Sequence, residues 1–260
     1  MQGLVNFFRN FVGVIIFLKK VISIMKNKMI SLGCIIPFYN ERDRILSVID
    51  KIILIEKISQ IICVDDGSFD NASKLIRNEY PQIKVINLKK NIGKSGAVRK
   101  AVERLACEYV FLLDADIEDI KIAVINDAIE KIEHNPSIDM IIFDHKVRPH
   151  IFEIVARLIR TTVIFSGLRI LKTKDLLKVF EQYDPRGFQL EMATNMYMQK
   201  EKKNVYWFSP FGINPVKVSK GNLFKGLINQ IKMDREVLFR YVSFFEVLKL
   251  SFTFCTKKCP

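Results

Sequence analysis

YVFLLDAD, from Tyr109 to Asp116, is the stretch whose reading decides the fold. Val110, Phe111, Leu112 and Leu113 make an unbroken apolar run, the pattern of a strand buried on both faces of a parallel sheet. Asp114 and Asp116 follow at i and i+2, where that strand ends. Buried charges are costly unless paired or metal-bound, and two neighbouring carboxylates repel. A divalent cation relieves both penalties. Mg²⁺ takes one or two protein carboxylates and completes its shell with water and phosphate oxygens. Asp114 and Asp116 are therefore candidate ligands for Mg²⁺ or Mn²⁺ at a strand's carboxyl end, facing a diphosphate. The competing reading is a pair of solvated turn aspartates, because this spacing alone carries little information.

Three similar apolar runs lie upstream. Leu32 to Pro37 is followed by Tyr39, Asn40 and Glu41. Ile61 to Asp65 is followed by Asp66, Gly67 and Ser68, and Ile83 to Leu88 by KKNIGKSGA. Helical apolar spacing fills the intervals, over Ile45 to Ile55, Ala72 to Asn78 and Lys94 to Ala106. Strands alternating with single helices imply right-handed crossovers. The expected fold is α/β and Rossmann-like, with a mostly parallel central sheet flanked by helices. Ligands of such sheets bind beyond the carboxyl ends of the strands, where every polar cluster above falls.

CIIPFYNE, VDDGSFDNA, NIGKSGAVR and LLDAD, in this order and spacing, resemble the nucleotide-binding half of the family 2 glycosyltransferases of the GT-A type. SGLRIL (Ser166–Leu171) and GFQLE (Gly187–Glu191) are similar to that family's acceptor-side motifs. The nearest flavour is the polyprenyl-phosphate sugar transferases and small bacterial relatives, over about residues 30–240. The resemblance implies transfer of a sugar from a UDP- or GDP-linked donor, with inversion and metal assistance. The implied acceptor is a lipid phosphate or a cell-envelope glycan.

A carboxylate after the second strand can accept the imide N–H of uracil or the N–H groups of guanine, and the resemblance gives that role to Asp65. Asp66 reads as shaping the turn with Gly67. Ser68 reads as a helix cap or a ligand contact. The resemblance puts Pro37, Tyr39 and Glu41 around the base and ribose, and Asn91, Gly93 and Lys94 nearest the phosphates, with Asp114. The loop is not a Walker loop, which needs glycine where Leu88 stands. It does open a helix through glycines, which leaves backbone N–H groups for an anion. Arg99 reads as a solvated or ion-paired face residue.

On the acceptor side, alternation stops after a fifth strand over Ile138 to Phe143. A basic stretch with Arg148 follows, and then Arg169, whose planar fork suits a phosphate. Glu191 falls early in a helix after Gly187. Inverting transfer to a hydroxyl needs a general base, and the resemblance puts the acidic residues of this helix near the acceptor, so Glu191 is a candidate catalytic residue beside the metal-binding Asp116. An acceptor that is already an anionic phosphate needs no strong base, and Gln189 and Glu191 then orient sugar hydroxyls. Asp184 is an alternative acid, although YDPRG reads as a turn. Many relatives carry a metal-binding histidine after this helix. Here the stretch PFGINPVKVSKGN has none, and Asn214 is the nearest polar residue.

The chain has 260 residues, 49% apolar and 27% charged, enough for one large α/β domain. Its net charge of +13 calls for an anionic partner, and no nucleic-acid module is visible. Leu4, Phe7, Phe11, Val14, Leu18, Ile22 and Met25 recur at helical spacing, opposite Arg9, Gly13, Lys20 and Asn27. The unbroken apolar run Phe11 to Leu18 is too short to span a bilayer. Residues 1–28 therefore read as an in-plane amphipathic helix on an anionic membrane face, unless translation starts at Met25 or Met29. Residues 29–235 read as the transferase domain and 236–260 as a basic amphipathic tail. Scattered cysteines suit a reducing cytoplasm, so the expected place is the inner face of the cell membrane. Two rivals remain, a catalytically degenerate relative and a nucleotidyltransferase of similar layered fold. The latter normally opens with a glycine-rich loop where this chain has PFYNE.

Overall fold

A computed structural model describes residues 30–117, 120–144, 161–208, 253–254 and 257–258. The expected N-terminal helix, Arg148, Asn214 and most of the tail lie outside these residues.

Strands β1 (Leu32–Phe38), β2 (Ile58–Asp65), β3 (Lys84–Asn87) and β4 (Tyr109–Leu112) follow the four apolar runs. Helices α1 (Arg42–Ile52), α2 (Ala72–Glu79) and α3 (Lys94–Val102) connect them. Next come α4 (Ile122–His134), β5 (Met140–Phe143), α5 (Thr161–Ile164), β6 (Arg169–Lys172), α6 (Thr173–Tyr183), α7 (Leu190–Lys200), β7 (Val205–Phe208) and the short β8 (Lys257–Lys258). Among the described residues these form one eight-stranded sheet, ordered β3-β2-β1-β4-β6-β5-β7-β8. The β1–β2, β1–β4, β2–β3, β5–β7 and β7–β8 pairs are parallel. Only β6 runs against its neighbours, β4 and β5.

Alternation along the strands sorts the core into two layers. Cys34, Ile36, Cys63, Phe111, Ile141 and Phe143 face the layer that holds α1, α2 and α4. Ile35, Ile62, Val64, Val110, Leu112, Met140 and Ile142 face α3, α6 and α7. Both faces are covered, so β4 reads as a continuous apolar run rather than an alternating one. Helices α1 and α4 each bury one stripe: Ile45, Val48, Ile49 and Ile52 in the first, Ile125, Ala128, Ile129 and Ile132 in the second. Helix α1 begins earlier than its apolar spacing suggests, because Glu41 O accepts the N–H groups of Arg44 and Ile45 at 3.0 and 2.9 Å. Pro37 is tolerated in a central strand because the β1–β4 ladder ends at Ile35↔Leu112, before the missing N–H matters.

Helix α7 buries nearly its whole circumference, including Thr194 and Asn195. Each buried polar group is satisfied. Thr194 Oγ1 donates to Leu190 O at 2.7 Å, and Asn195 Nδ2 donates to Ile164 O at 2.8 Å. The second of these bonds ties α7 to the end of α5. Cys34, Cys63 and Cys107 are free thiols, and burial pushes the Cys63 thiol up to about 12. No helix among the described residues is long and apolar enough to cross a membrane.

Candidate active site

In-register pairing sets the site edge. Phe38 pairs with Asp65 and Asp65 with Asn87, so the loops after β1, β2 and β3 leave the sheet together. Asp65 is buried, and its Oδ1 accepts the Ser68 N–H at 2.7 Å. Ser68 does not cap α2; its Oγ accepts the Asn40 N–H at 2.9 Å and ties two loops together. Asp70 does the capping, with Oδ1 on the Ala72 N–H and Oδ2 on the Arg42 N–H. Asp66 reaches further than the local turn. Its two oxygens accept the Ile92 and Gly93 N–H groups at 2.8 and 2.9 Å. Burial pushes the Asp66 carboxyl up, the two N–H groups pull it back, and Asp65 adds to the rise.

Gly93 has φ 84°, and a Cβ there would lie 2.7 Å from Gly187 Cα. A side chain at Gly93 would block this backbone approach. Ser95 seals it, donating to Gly187 O from N at 2.9 Å and from Oγ at 2.8 Å. The first turn of α3 is thus seated on the loop that opens α7. Lys94 lands between the two halves of the site as a result. Its Nζ lies 2.5 Å from Asp114 Oδ1 and 2.7 Å from Glu191 Oε1. Burial opposes the charge, but Asp114 and Glu191 outweigh it and hold the ammonium above the ordinary lysine range. Gly167 closes over this bridge. A Cβ there would sit 2.5 Å from Asp114 Oδ2 and nearer still to Lys94 Nζ.

Asp114 and Asp116 are both partly open to solvent just past β4. No cluster of three or more His, Cys, Asp or Glu that could hold a metal occurs among the described residues. Two carboxylates at a strand end nevertheless fit a hard cation that draws its other ligands from diphosphate and water.

Arg169 requires a correction. It is 1% exposed, so its guanidinium faces the interior rather than a phosphate. Nε donates to Ser166 O at 3.0 Å, and Nη1 to Glu191 O at 3.3 Å and Asn195 Oδ1 at 3.0 Å; Nη2 also donates to Ser166 O. Arg169 pins the SGLR turn to the first turns of α7, beneath Glu191. Gln189 is buried too, with Oε1 accepting the Arg186 N–H at 2.9 Å. Tyr39 is exposed and meets Phe69 edge-to-face, with centroids 6.5 Å apart. Glu41 pairs with Arg44 at 2.5 Å, and Asn91 Oδ1 accepts the Gly93 N–H at 3.1 Å. Asp184 is a turn residue with φ 41°, exposed and paired with Arg99 at 2.8 Å. Gly167 and Phe69 are contributors that sequence reasoning did not single out. A glycine in a motif announces a close approach but not its partner.

The description "Glycosyl transferase family 2" matches residues 34–176. The chain belongs to glycosyl transferase family 2. The match spans β1 to the start of α6, so Gln189 and Glu191 lie beyond it. This family 2 chain is 34% identical over 133 residues to a dolichyl-phosphate beta-glucosyltransferase of Dictyostelium discoideum, covering 44% of this chain and 41% of the relative. It is 36% identical over 121 residues to the Saccharomyces cerevisiae dolichyl-phosphate beta-glucosyltransferase, covering 40% and 36%. The chain therefore spans less than half the length of these curated relatives. Its fold is similar to glucosyl-3-phosphoglycerate synthase of Mycobacterium tuberculosis, solved with Mn²⁺, UDP-glucose and glycerol 3-phosphate. That likeness has a TM-score of 0.61 at 16% identity and covers 80% of this chain and 77% of the other.

Proposed function

We propose that this chain transfers a sugar from a nucleoside-diphosphate sugar to a phosphate-bearing lipid acceptor, with a divalent cation on the donor diphosphate. The observation that carries this reading is the Lys94 bridge from Asp114 to Glu191. It joins the carboxylate pair expected to meet the donor to the helix expected to meet the acceptor, within the length of one side chain.

In this reading Asp65, Pro37, Tyr39 and Glu41 surround the base and ribose, and Asn91, Gly93 and Lys94 approach the phosphates. Asp114 and Asp116 would hold Mg²⁺ or Mn²⁺, which when bound supplies positive charge to the departing diphosphate. Asp66 keeps the 92–93 backbone in place. Lys94 carries a fixed positive charge at ordinary pH and can follow the negative charge as it develops on the leaving group. Glu191 is ion-paired to an ammonium, an arrangement that favours orienting hydroxyls over accepting a proton. That favours an acceptor which arrives already deprotonated, as a phosphate does. The dolichyl-phosphate relatives agree with such an acceptor, and UDP-glucose is the first donor to test. A lipid acceptor also accords with an amphipathic 1–28 segment and a basic chain at an anionic membrane face.

The test is product formation from UDP- and GDP-sugars, with polyprenyl phosphate or glycerol 3-phosphate as acceptor, with Mn²⁺ or with EDTA. Transfer to polyprenyl phosphate that needs Mn²⁺ supports the reading. Binding of donors without transfer to any acceptor favours the degenerate relative instead.

A further inference from the structure

Single exposed apolar side chains are ordinary on a protein surface, so their distribution is what carries meaning. Seven large apolar residues are exposed among the described ones. Ile53 and Leu54 follow α1 at the edge remote from the site. The other five, Tyr39, Phe69, Ile92, Phe165 and Phe188, all lie at the edge that carries Lys94, Asp114 and Glu191. Each comes from a different loop. Tyr39 follows β1, Phe69 follows β2 and Ile92 follows β3. Phe165 stands two residues before Gly167, which touches the Lys94–Asp114 bridge, and Phe188 adjoins Gly187 against Gly93. Phe69 is 85% exposed, an extreme value for a phenylalanine with no polar atom to present to water.

The same loops carry exposed cations, Arg42 after Tyr39, Lys89 and Lys90 before Ile92, and Arg186 before Phe188, with Asp43 and Asp184 as their exposed acidic neighbours. The remote edge carries charges of both signs, Glu56, Glu79, Glu103 and Glu108 beside Lys84, Arg104, Lys200 and Lys202, but only Ile53 and Leu54 as exposed large apolar residues. Aromatic and aliphatic tips interleaved with lysine and arginine match the water–bilayer boundary, where rings settle at headgroup depth and cations meet anionic lipid. We infer that the site-bearing edge of the sheet docks on an anionic bilayer, with Phe69 and Phe188 dipping below the headgroups. The active site then opens toward the membrane surface. This extends the lipid-acceptor reading, but its readout does not depend on turnover.

The test uses the full chain on phosphatidylcholine vesicles containing phosphatidylglycerol, some made with lipids brominated on the acyl chains. The single native tryptophan, Trp207, sets the baseline. Phe69→Trp and Phe188→Trp should each gain fluorescence that brominated lipid quenches, while Leu54→Trp at the remote edge gains only unquenched signal. Phe69→Ser should weaken vesicle partitioning by about tenfold, as expected for one buried aromatic side chain. The inference is overturned if the chain does not bind vesicles, or if it binds with Phe69→Trp and Phe188→Trp quenched no more than Leu54→Trp. A dimer in solution that Phe69→Ser disperses would give the rim to a second copy and also overturn it. None of these outcomes bears on sugar transfer to a soluble acceptor, which stands or falls by the transfer assay.

Discussion

Lys94 Nζ lies 2.7 Å from Glu191 Oε1 across the interface between the glycine loop and α7. The same nitrogen holds Asp114, so one ammonium bridges two carboxylates drawn from distant parts of the chain. Removing it leaves like charges facing each other in a partly desolvated pocket.

Lys94→Met should therefore destabilise the fold by roughly 3 kcal/mol, the lower end for breaking a buried ion pair. Mn²⁺ should restore more stability to this variant than to wild type, because a cation at Asp114 replaces the lost charge. The pH dependence has a definite sign. A lysine raised in the folded state contributes stability that is fully present below its unfolded value, about 10.4, and is lost as pH rises through the folded value. The gap between wild type and Lys94→Met in urea denaturation should stay constant through neutral pH and narrow only in strongly alkaline buffer.

Gly167→Ala tests the lid over this bridge. The added Cβ would meet Asp114 Oδ2 at 2.5 Å, so the carboxylate or the ammonium must move. Turnover should fall by about tenfold or more, since small displacements of positioning groups are costly to rate. Thermal melting should change far less. Unaltered turnover would mean that the Asp114 position tolerates movement.

Asp66→Asn tests the clamp on the loop after β3. An amide must place its N–H₂ opposite either the Ile92 or the Gly93 N–H, where the carboxylate accepts both. A loss of roughly 1–3 kcal/mol is expected from the unsatisfied donors. Weaker binding of the nucleoside diphosphate should accompany it, because Lys94 is the next residue along. Calorimetry and urea denaturation on the same preparation measure both.

Much of this arrangement is legible in the sequence. The first four strands, in their succession along the chain, are legible as apolar runs such as Val110 to Leu113, the pattern that burial on both faces leaves. The reversed direction of β6 is not legible, since RIL is an apolar run whichever way it points. Arg169 shows a different limit. An arginine after a small-residue turn looks like a phosphate ligand, and only its 1% exposure shows that it pins Glu191's helix instead. Asp66 was hidden for the opposite reason. An Asp-Gly pair is sufficiently explained as a turn, and nothing local signals that its oxygens reach Ile92 and Gly93. The meeting of Lys94 with Glu191 depends on Gly93 lying against Gly187, a contact between residues far apart in the chain.

Glu191→Gln separates the two roles open to this carboxylate. With a phosphate acceptor, kcat should fall by no more than about tenfold and the main loss should appear in KM. A fall in kcat of roughly 10²–10⁴, with a lost acidic limb in the pH profile, would instead make Glu191 the general base.

The most direct test of the central claim is calorimetric binding of UDP- and GDP-sugars to the full chain, with Mn²⁺ and with EDTA, in wild type and Asp116→Ala. At least one nucleotide sugar should bind wild type far more tightly with Mn²⁺, and Asp116→Ala should abolish the difference while melting normally. Equal affinity in Mn²⁺ and EDTA, or an Asp116→Ala variant that keeps the full metal dependence, would contradict it.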